Sequence, residues 1–267
     1  MSDLQASEAG GILRLHVDRD RKRNSLDADL VADLTAAMSA VTADVRVVYL
    51  TTAGEVFCAG ADLSLMSDDV AEDESGEGSV SSTQQRVHEG RGGVRAVVAA
   101  MRACPAAVVV RVQGACLAGG FGLLLGSDVA IAADTATFGL PELNLGLWPF
   151  MVSALLVRHM SPKAAMELML TGRRFSAAEA FNFGLVSRVV PHRDLDTQCD
   201  EFVMDLAGRA PLAIRAGKAA FWQLQDPTSA HDLADMEARL SLLCQTRDAA
   251  EGLTAFRERR APGWEGQ

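Results

Sequence analysis

The chain has 267 residues, 49% of them hydrophobic, and a formal net charge of -10. That length and composition suit one large core, or a core with a smaller appendage. The acidic balance argues against a nucleic-acid partner held by phosphate neutralisation. Five cysteines, Cys58, Cys104, Cys116, Cys199 and Cys244, are odd in number and form no CxxC pair, which reads as reduced thiols. No basic-then-apolar leader is seen, and glycines and Asp128 interrupt the longest apolar region, so the expectation is a soluble, cytoplasmic protein with no membrane partner.

In chain order, "ILRLHV" alternates like a half-buried strand. "SLDADLVADLTAAMSAV" then places Leu26, Leu30, Leu34, Met38 and Val41 at helical spacing, and "VRVVYLT" is rich in β-formers. Residues 67–82, "SDDVAEDESGEGSVSS", are acidic and nearly free of large apolar groups; they read as a mobile loop or as a solvated face. A helix is expected from about Thr83 to Arg102, leading to "AAVVVRV", a fully buried strand. Ser161 before Pro162 reads as an N-cap with proline at N1, and "SAAE" from Ser176 to Glu179 has capping-box spacing. From about Asp194 strand signals stop and helical patterns run to Arg260, which divides the chain into a core, 1–193, and a helical region, 194–267. Alternating strands and helices make the class α/β.

The stretch "VQGACLAGGFGLLLGSD", residues 112–128, follows the buried strand with five glycines. Each costs a helix interior about 1 kcal/mol relative to alanine. Strand, glycine-rich turn and apolar helix together suit a site where backbone N–H groups at a helix start face a ligand oxygen. Close packing of helix on strand is the alternative. Leu125 stands three residues after Gly122, so the dinucleotide fingerprint G-x-G-x-x-G is not met, and no Gly-Lys-Ser/Thr marks a phosphate loop. A second stretch, "GEVFCAGADLSLM" (54–66), repeats the pattern of strand, glycine turn and short helix. Two such turns could supply two N–H donors to one oxygen, as an oxyanion hole requires.

The pair "FCAGADLSLM" and "VQGACLAGGFGLLLGSDVAIAADTATFGLPELNLGLWP", with "RDRKRNSLDADL", "LTGRRFSAAEAFNFGLVSRVVP" and "AFRERRAPGW", resembles the enoyl-CoA hydratase/isomerase, or crotonase, family over nearly the whole chain. The resemblance implies a crotonase-like spiral of ββα units with a C-terminal helical region that assembles trimers or hexamers. It implies an acyl-CoA substrate whose thioester carbonyl sits between the N–H groups of Ala61 and Gly119. Coenzyme A enters as part of the substrate, and no separate cofactor is implied. Ala59 matches the position whose backbone meets the adenine ring. Arg21, Lys22 and Arg23 lie where the family contacts CoA phosphates, a cluster that also reads as a solvated turn. Asp62 adjoins that CoA-binding turn and also reads as a helix cap. Glu142, in "LPEL", matches one of two glutamates that hydratases use at the reacting carbons.

The other glutamate is replaced by Gly122, which is expected to leave room for a bulkier or more polar acyl group. One carboxylate suffices to shift a double bond between the 3- and 2-enoyl positions, whereas two commonly orient the water of hydration. The leading expectation is a hydratase-like enzyme, with an isomerase as runner-up and a non-catalytic acyl-CoA-binding scaffold as the rival of another class. Trp148 and Phe150 are expected to line the acyl pocket or to pack in the core. Asp128 is expected to hold N–H groups at a strand start, and His159, with Arg158, to close a helix. His88 is read as a solvent-facing helix residue or part of a lid, and Cys58 and Cys116 as small packing residues. No metal-ligand spacing and no G-x-S-x-G elbow appears.

Overall fold

The computed structural model describes residues 2–62, 94–145, 147–224 and 246–267; the 67–82 segment, His88, the first part of the expected 83–102 helix, and Leu240, Leu243 and Cys244 lie outside them. Two sheets are built alternately as the chain advances. β1 (Leu4–Ala9) and β2 (Ile12–Val17) form an antiparallel hairpin, and β2 then pairs in parallel with β3 (Val47–Thr52). Between them α1 (Ala28–Ser39) buries Leu30, Val31, Leu34 and Met38 on one stripe, as the spacing predicts. It starts two residues beyond Leu26 because the Asp27 carboxylate accepts from Leu30 N at 2.9 Å and caps the helix there.

Each later turn of the spiral adds one strand to each sheet. β3 is followed by β4 (Val56–Cys58), β5 (Ala107–Val112) by β6 (Ala115–Leu117), and β7 (Val129–Ala133) by β8 (Thr137–Gly139). The large sheet has the order β1-β2-β3-β5-β7-β10, closing with β10 (Arg188–Val190); the small sheet runs β4-β6-β8-β9, with β9 at Arg174–Ser176. β5 lies between β3 and β7, parallel to both, which explains its unbroken run of buried valines. The helix α2 (residues 94–103) presents Val94, Val97, Val98 and Met101 to the core. α3 (Gly120–Gly126) is buried along its whole length, anchored by Phe121 against Phe138 and Phe175 at ring-centroid distances of 6.3 Å.

Downstream, α4 (Phe150–Leu156) leads to α5 (Pro162–Thr171) and α6 (Ala177–Asn182). The Ser161 side chain caps α5 with Pro162 at its first turn, and Ser176 with Glu179 forms the full capping box of α6. α7 (Leu195–Ala207) contributes Leu195, Cys199, Val203 and Ala207 to the same core as the large sheet. α8 (Pro211–Leu224) is fixed by a buried polar clamp. Asp128 accepts from Val108 N at 2.7 Å, pairs with Lys218 Nζ at 2.7 Å and accepts from Trp222 Nε1 at 2.9 Å. Lys218 also donates to the carbonyls of Met101 and Ala106, so the charge is fully coordinated. α9 (Arg247–Glu258) holds the last residues through Asp248, which accepts from Glu265 N and Gly266 N. Among the described residues no helix is long and apolar enough to cross a membrane.

Candidate active site

The small sheet places the site. In its parallel part Cys58 pairs with Cys116, and Cys116 with Phe138, so the chain leaves three neighbouring strands at one edge. The segments leaving there are 59–62 after β4, 118–120 after β6 and 140–142 after β8. They carry Ala61, Gly119 and Glu142 respectively, residues far apart in sequence brought together at carboxyl ends of strands.

The first turn is held by a short ladder to residues 23–26. Ala59 N donates to Arg23 O at 3.0 Å, Leu26 N to Gly60 O at 2.8 Å and Asp62 N to Leu26 O at 2.9 Å. Ala61 N–H falls on the other side of that ladder, exposed, and has no hydrogen-bond partner among the described residues. The second turn is fixed by Ala118 N donating to Gly139 O at 3.1 Å, with Ala118 in the left-handed region at φ 47. Gly119 N–H, at the start of α3, likewise has no partner among the described residues.

The two turns touch. A β-carbon built on Gly119 would lie 3.4 Å from Ala61 N, and one on Gly60 would lie 3.3 Å from Gly119 N and 2.8 Å from Ala118 Cβ. Gly60, at φ +99, is therefore required twice, by its backbone conformation and by the neighbouring turn. Two such donors on facing turns are an anion-stabilising arrangement, because no group among the described residues competes for them.

Glu142 occupies a 3-10 turn, Pro141–Leu145, whose Glu142 carbonyl accepts from Leu147 N at 3.0 Å. Gly172, the left-handed cap of α5, packs against Leu140 and Pro141 and so supports the turn from behind. The carboxyl group is half-buried, and its Oε2 has no partner among the described residues. Burial pushes its pKa above the ordinary glutamate value. A carboxyl group whose protonated form is favoured in this way suits proton transfer to and from a substrate.

Gly122 is not an opening. A β-carbon there would lie 2.6 Å from Val94 Cγ1 and 3.7 Å from Val98 Cγ2, so the space expected for a larger acyl group is filled by α2. The glycine lets two buried helices meet closely, which corrects the sequence expectation for this position. Trp148 is half-buried against the core, whereas Phe150, the first residue of α4, is 75% exposed.

The residues expected to meet coenzyme A do lie together. Lys22 and Arg23 end a 3-10 turn, Asp20–Lys22, beside Ala59, and Lys22 Nζ is 3.7 Å from the Asp62 carboxylate. Asp62 itself faces Arg19, whose Nη2 lies 3.1 Å away. Cys58 and Cys116 are buried, and burial raises the Cys58 thiol to about 12, which leaves it inert. His159 Nδ1 contacts Leu155 O at 2.8 Å and so caps the end of α4. The described residues contain no cluster able to hold a metal ion.

Sequence reasoning overlooked Arg19, Asn24 and Gln113. The buried Asn24 amide donates to Ala53 O and Val56 O, each at 2.7 Å, and Gln113 donates to Thr52 O and Gly54 O, each at 3.1 Å. Together these two amides fasten the turn that delivers β4. A separate cleft of about 350 Å³, lined by Leu125, His159, Ile214 and Phe221, lies at the C-terminal end of α3. It is remote from Gly119, and its charged pair, Lys218 and Asp128, is satisfied internally.

A spiral of ββα units with paired main-chain donors at the edge of its small sheet is the crotonase fold, and the chain belongs to the enoyl-CoA hydratase/isomerase family, whose pattern it matches over residues 7–267. Among its relatives, the 2,3-dehydroadipyl-CoA hydratase of Escherichia coli (strain K12) is 31% identical over 275 residues, covering 100% of both chains. The human mitochondrial enoyl-CoA hydratase domain-containing protein 3 is 29% identical over 265 residues, covering 97% of this chain and 82% of that protein. The crystal structure of enoyl-CoA hydratase from Bacillus anthracis superposes with a TM-score of 0.87 at 31% identity, covering 100% of each chain.

Proposed function

We propose that this protein is a hydratase-like enzyme acting on a 2-enoyl-CoA thioester, with Glu142 as its single catalytic acid-base group. The thioester carbonyl accepts from Ala61 N–H and Gly119 N–H, which stabilise the negative charge that develops as the enolate forms. Water adds at Cβ and a proton is delivered to Cα; Glu142 holds the water and moves the proton. The observation that carries this reading is the half-buried Glu142 carboxylate, in the turn that follows β8, with the turns after the neighbouring strands β6 and β4 carrying Gly119 N–H and Ala61 N–H; its Oε2 and both donors lack partners among the described residues. Hydratase relatives that match from end to end support the direction of the chemistry.

Lys22, Arg23, Ala59 and Asp62 form the coenzyme A side of the site, and Trp148 and Phe150 the acyl side. No cofactor is needed, since coenzyme A arrives with the substrate. The four described cysteines, Cys58, Cys104, Cys116 and Cys199, are buried and free, which suits a reducing compartment such as the cytoplasm.

A second reading, the 3-enoyl to 2-enoyl isomerase, is favoured by Gly122. With Val94 against it, that position supplies no second carboxylate to orient water. One test separates the two. The protein is incubated with crotonyl-CoA, 3-hexenoyl-CoA and 3-methylglutaconyl-CoA, following conjugated-enoyl absorbance together with water addition by mass. Water addition supports the hydratase, and conjugation of 3-hexenoyl-CoA without added mass supports the isomerase. Acyl-CoA binding that raises the melting temperature with neither reaction would leave the scaffold.

A further inference from the structure

The ladder that presents Ala61 N–H is gripped on both sides by one side chain. Arg19 Nη1 donates to Ser25 O at 2.6 Å, on the 23–26 strand of the ladder. Its Nη2 pairs with Asp62 at 3.1 Å, immediately after Ala61, and with Asp27 at 2.6 Å, the cap of α1; its Nε pairs with Asp3 at 3.0 Å, ahead of β1. The Arg19 backbone joins in, with its carbonyl accepting from Asn24 N at 3.0 Å and its N–H donating to Asn24 Oδ1 at 3.1 Å. The Arg19 side chain is only 12% exposed, and the Asp62 side chain 9%. A planar fork with fixed donor directions can hold one carbonyl and three carboxylates at once; an ammonium cannot.

This arrangement also settles an electrostatic conflict. Asp62 follows the donor that is to face an oxyanion, and an uncompensated carboxylate there would oppose the charge the site has to stabilise. Arg19 sets the position of Asp62 and, together with Lys22 at 3.7 Å, sets positive charge against it. We propose that Arg19 is a positioning residue for the first oxyanion donor, acting through Ser25 and Asp62 on Ala61 N–H. The inference rests on the acyl-CoA reading above.

The test uses the full-length protein and [1-13C]butyryl-CoA, a saturated thioester that cannot be turned over, with isotope-edited infrared spectroscopy of the bound carbonyl. In the parent, both donors lower the carbonyl stretch on binding. Arg19→Met should return the band at least half way to its free position, while changing the butyryl-CoA dissociation constant by less than about threefold, because the loss falls on carbonyl polarisation rather than on CoA contacts. Arg19→Lys should be intermediate. Arg14→Met is the control, since its pair with Asp200 at 2.8 Å joins β2 to α7 outside the site, and it should keep the parent band. A folded Arg19→Met protein, judged by circular dichroism, that keeps the full parent shift overturns the proposal while the acyl-CoA reading stands. Absence of a shift in the parent overturns that reading and this proposal with it. Should Arg19→Met fail to fold, Arg19→Lys carries the test, and an unreduced shift there overturns the proposal equally.

Discussion

Gly122 is where the packing makes its sharpest demand. In Gly122→Ala the new β-carbon would sit 2.6 Å from Val94 Cγ1, about 1 Å inside an ordinary carbon-carbon contact. Overpacking of that kind costs about 1–3 kcal/mol. Replacing a glycine within a helix returns about 1 kcal/mol, so the net loss should be roughly 0–2 kcal/mol. Val94→Ala alone empties part of a buried site, at a cost of about 1–3 kcal/mol for two methyl groups. In the double variant the added methyl occupies the vacated space, so the two changes should couple by about 1–2 kcal/mol in favour of the pair. Urea unfolding of the parent, both single variants and the double variant, at one protein concentration, measures the coupling. Additivity within about 0.5 kcal/mol would refute the contact. The same geometry governs Gly122→Glu, which should lose stability and gain no hydration of crotonyl-CoA unless Val94 is also shortened. A Gly122→Glu protein that keeps its melting temperature and hydrates crotonyl-CoA faster would show that the space is open after all.

Glu142→Gln should lower turnover by roughly 100- to 10,000-fold with little change in acyl-CoA binding, measured by steady-state kinetics and titration; unchanged turnover would remove Glu142 from the mechanism. Because burial raises the Glu142 pKa, its protonated form is favoured in the fold: its contribution to stability is full below the unfolded value and is lost as pH rises through the folded one. The melting temperature of Glu142→Gln should therefore gain on the parent with rising pH across that interval, and the acid limb of parent activity should lie above the ordinary glutamate range. A pH-independent difference in melting temperature would contradict this. Val157 at the end of α4, Leu170 on α5 and Phe181 on α6, each more than half exposed, leave apolar surface that a lone subunit does not cover, so light scattering should report a trimer or hexamer. A stable monomer at micromolar concentration would count against it.

How much of this was legible beforehand depended on distance along the chain. α1, β3, β5 and both serine caps were readable because periodicity and capping are local signals. The role of Asp128 at a strand start was readable too, and its bond to Val108 N bears this out. Of the small sheet only the strand opening "GEVFCAGADLSLM" was anticipated, at Val56–Cys58; strands of three residues such as Ala115–Leu117 and Thr137–Gly139 are shorter than any alternation that could reveal them. β1 escaped notice because nearly all its residues are exposed. Gly122 was misread for a related reason: a glycine signals missing volume, but not whether a ligand or a remote side chain such as Val94 fills it. The pairing of Asp62 with Arg19 was not legible, because 43 residues separate them and no local pattern joins them.

The clamp on α8 also bears on the order in which the molecule is completed during synthesis. Asp128 leaves the ribosome well before Trp222, 94 residues later, and until Lys218 and Trp222 arrive it has, among the described residues, only Val108 N–H to satisfy a carboxylate that ends up largely enclosed. The emerging spiral thus carries an unneutralised charge at the edge of its largest sheet, and closing over it early would be unfavourable. Arrival of α8 removes that obstacle in one step, making this late helix a checkpoint on the maturation of the strands it covers.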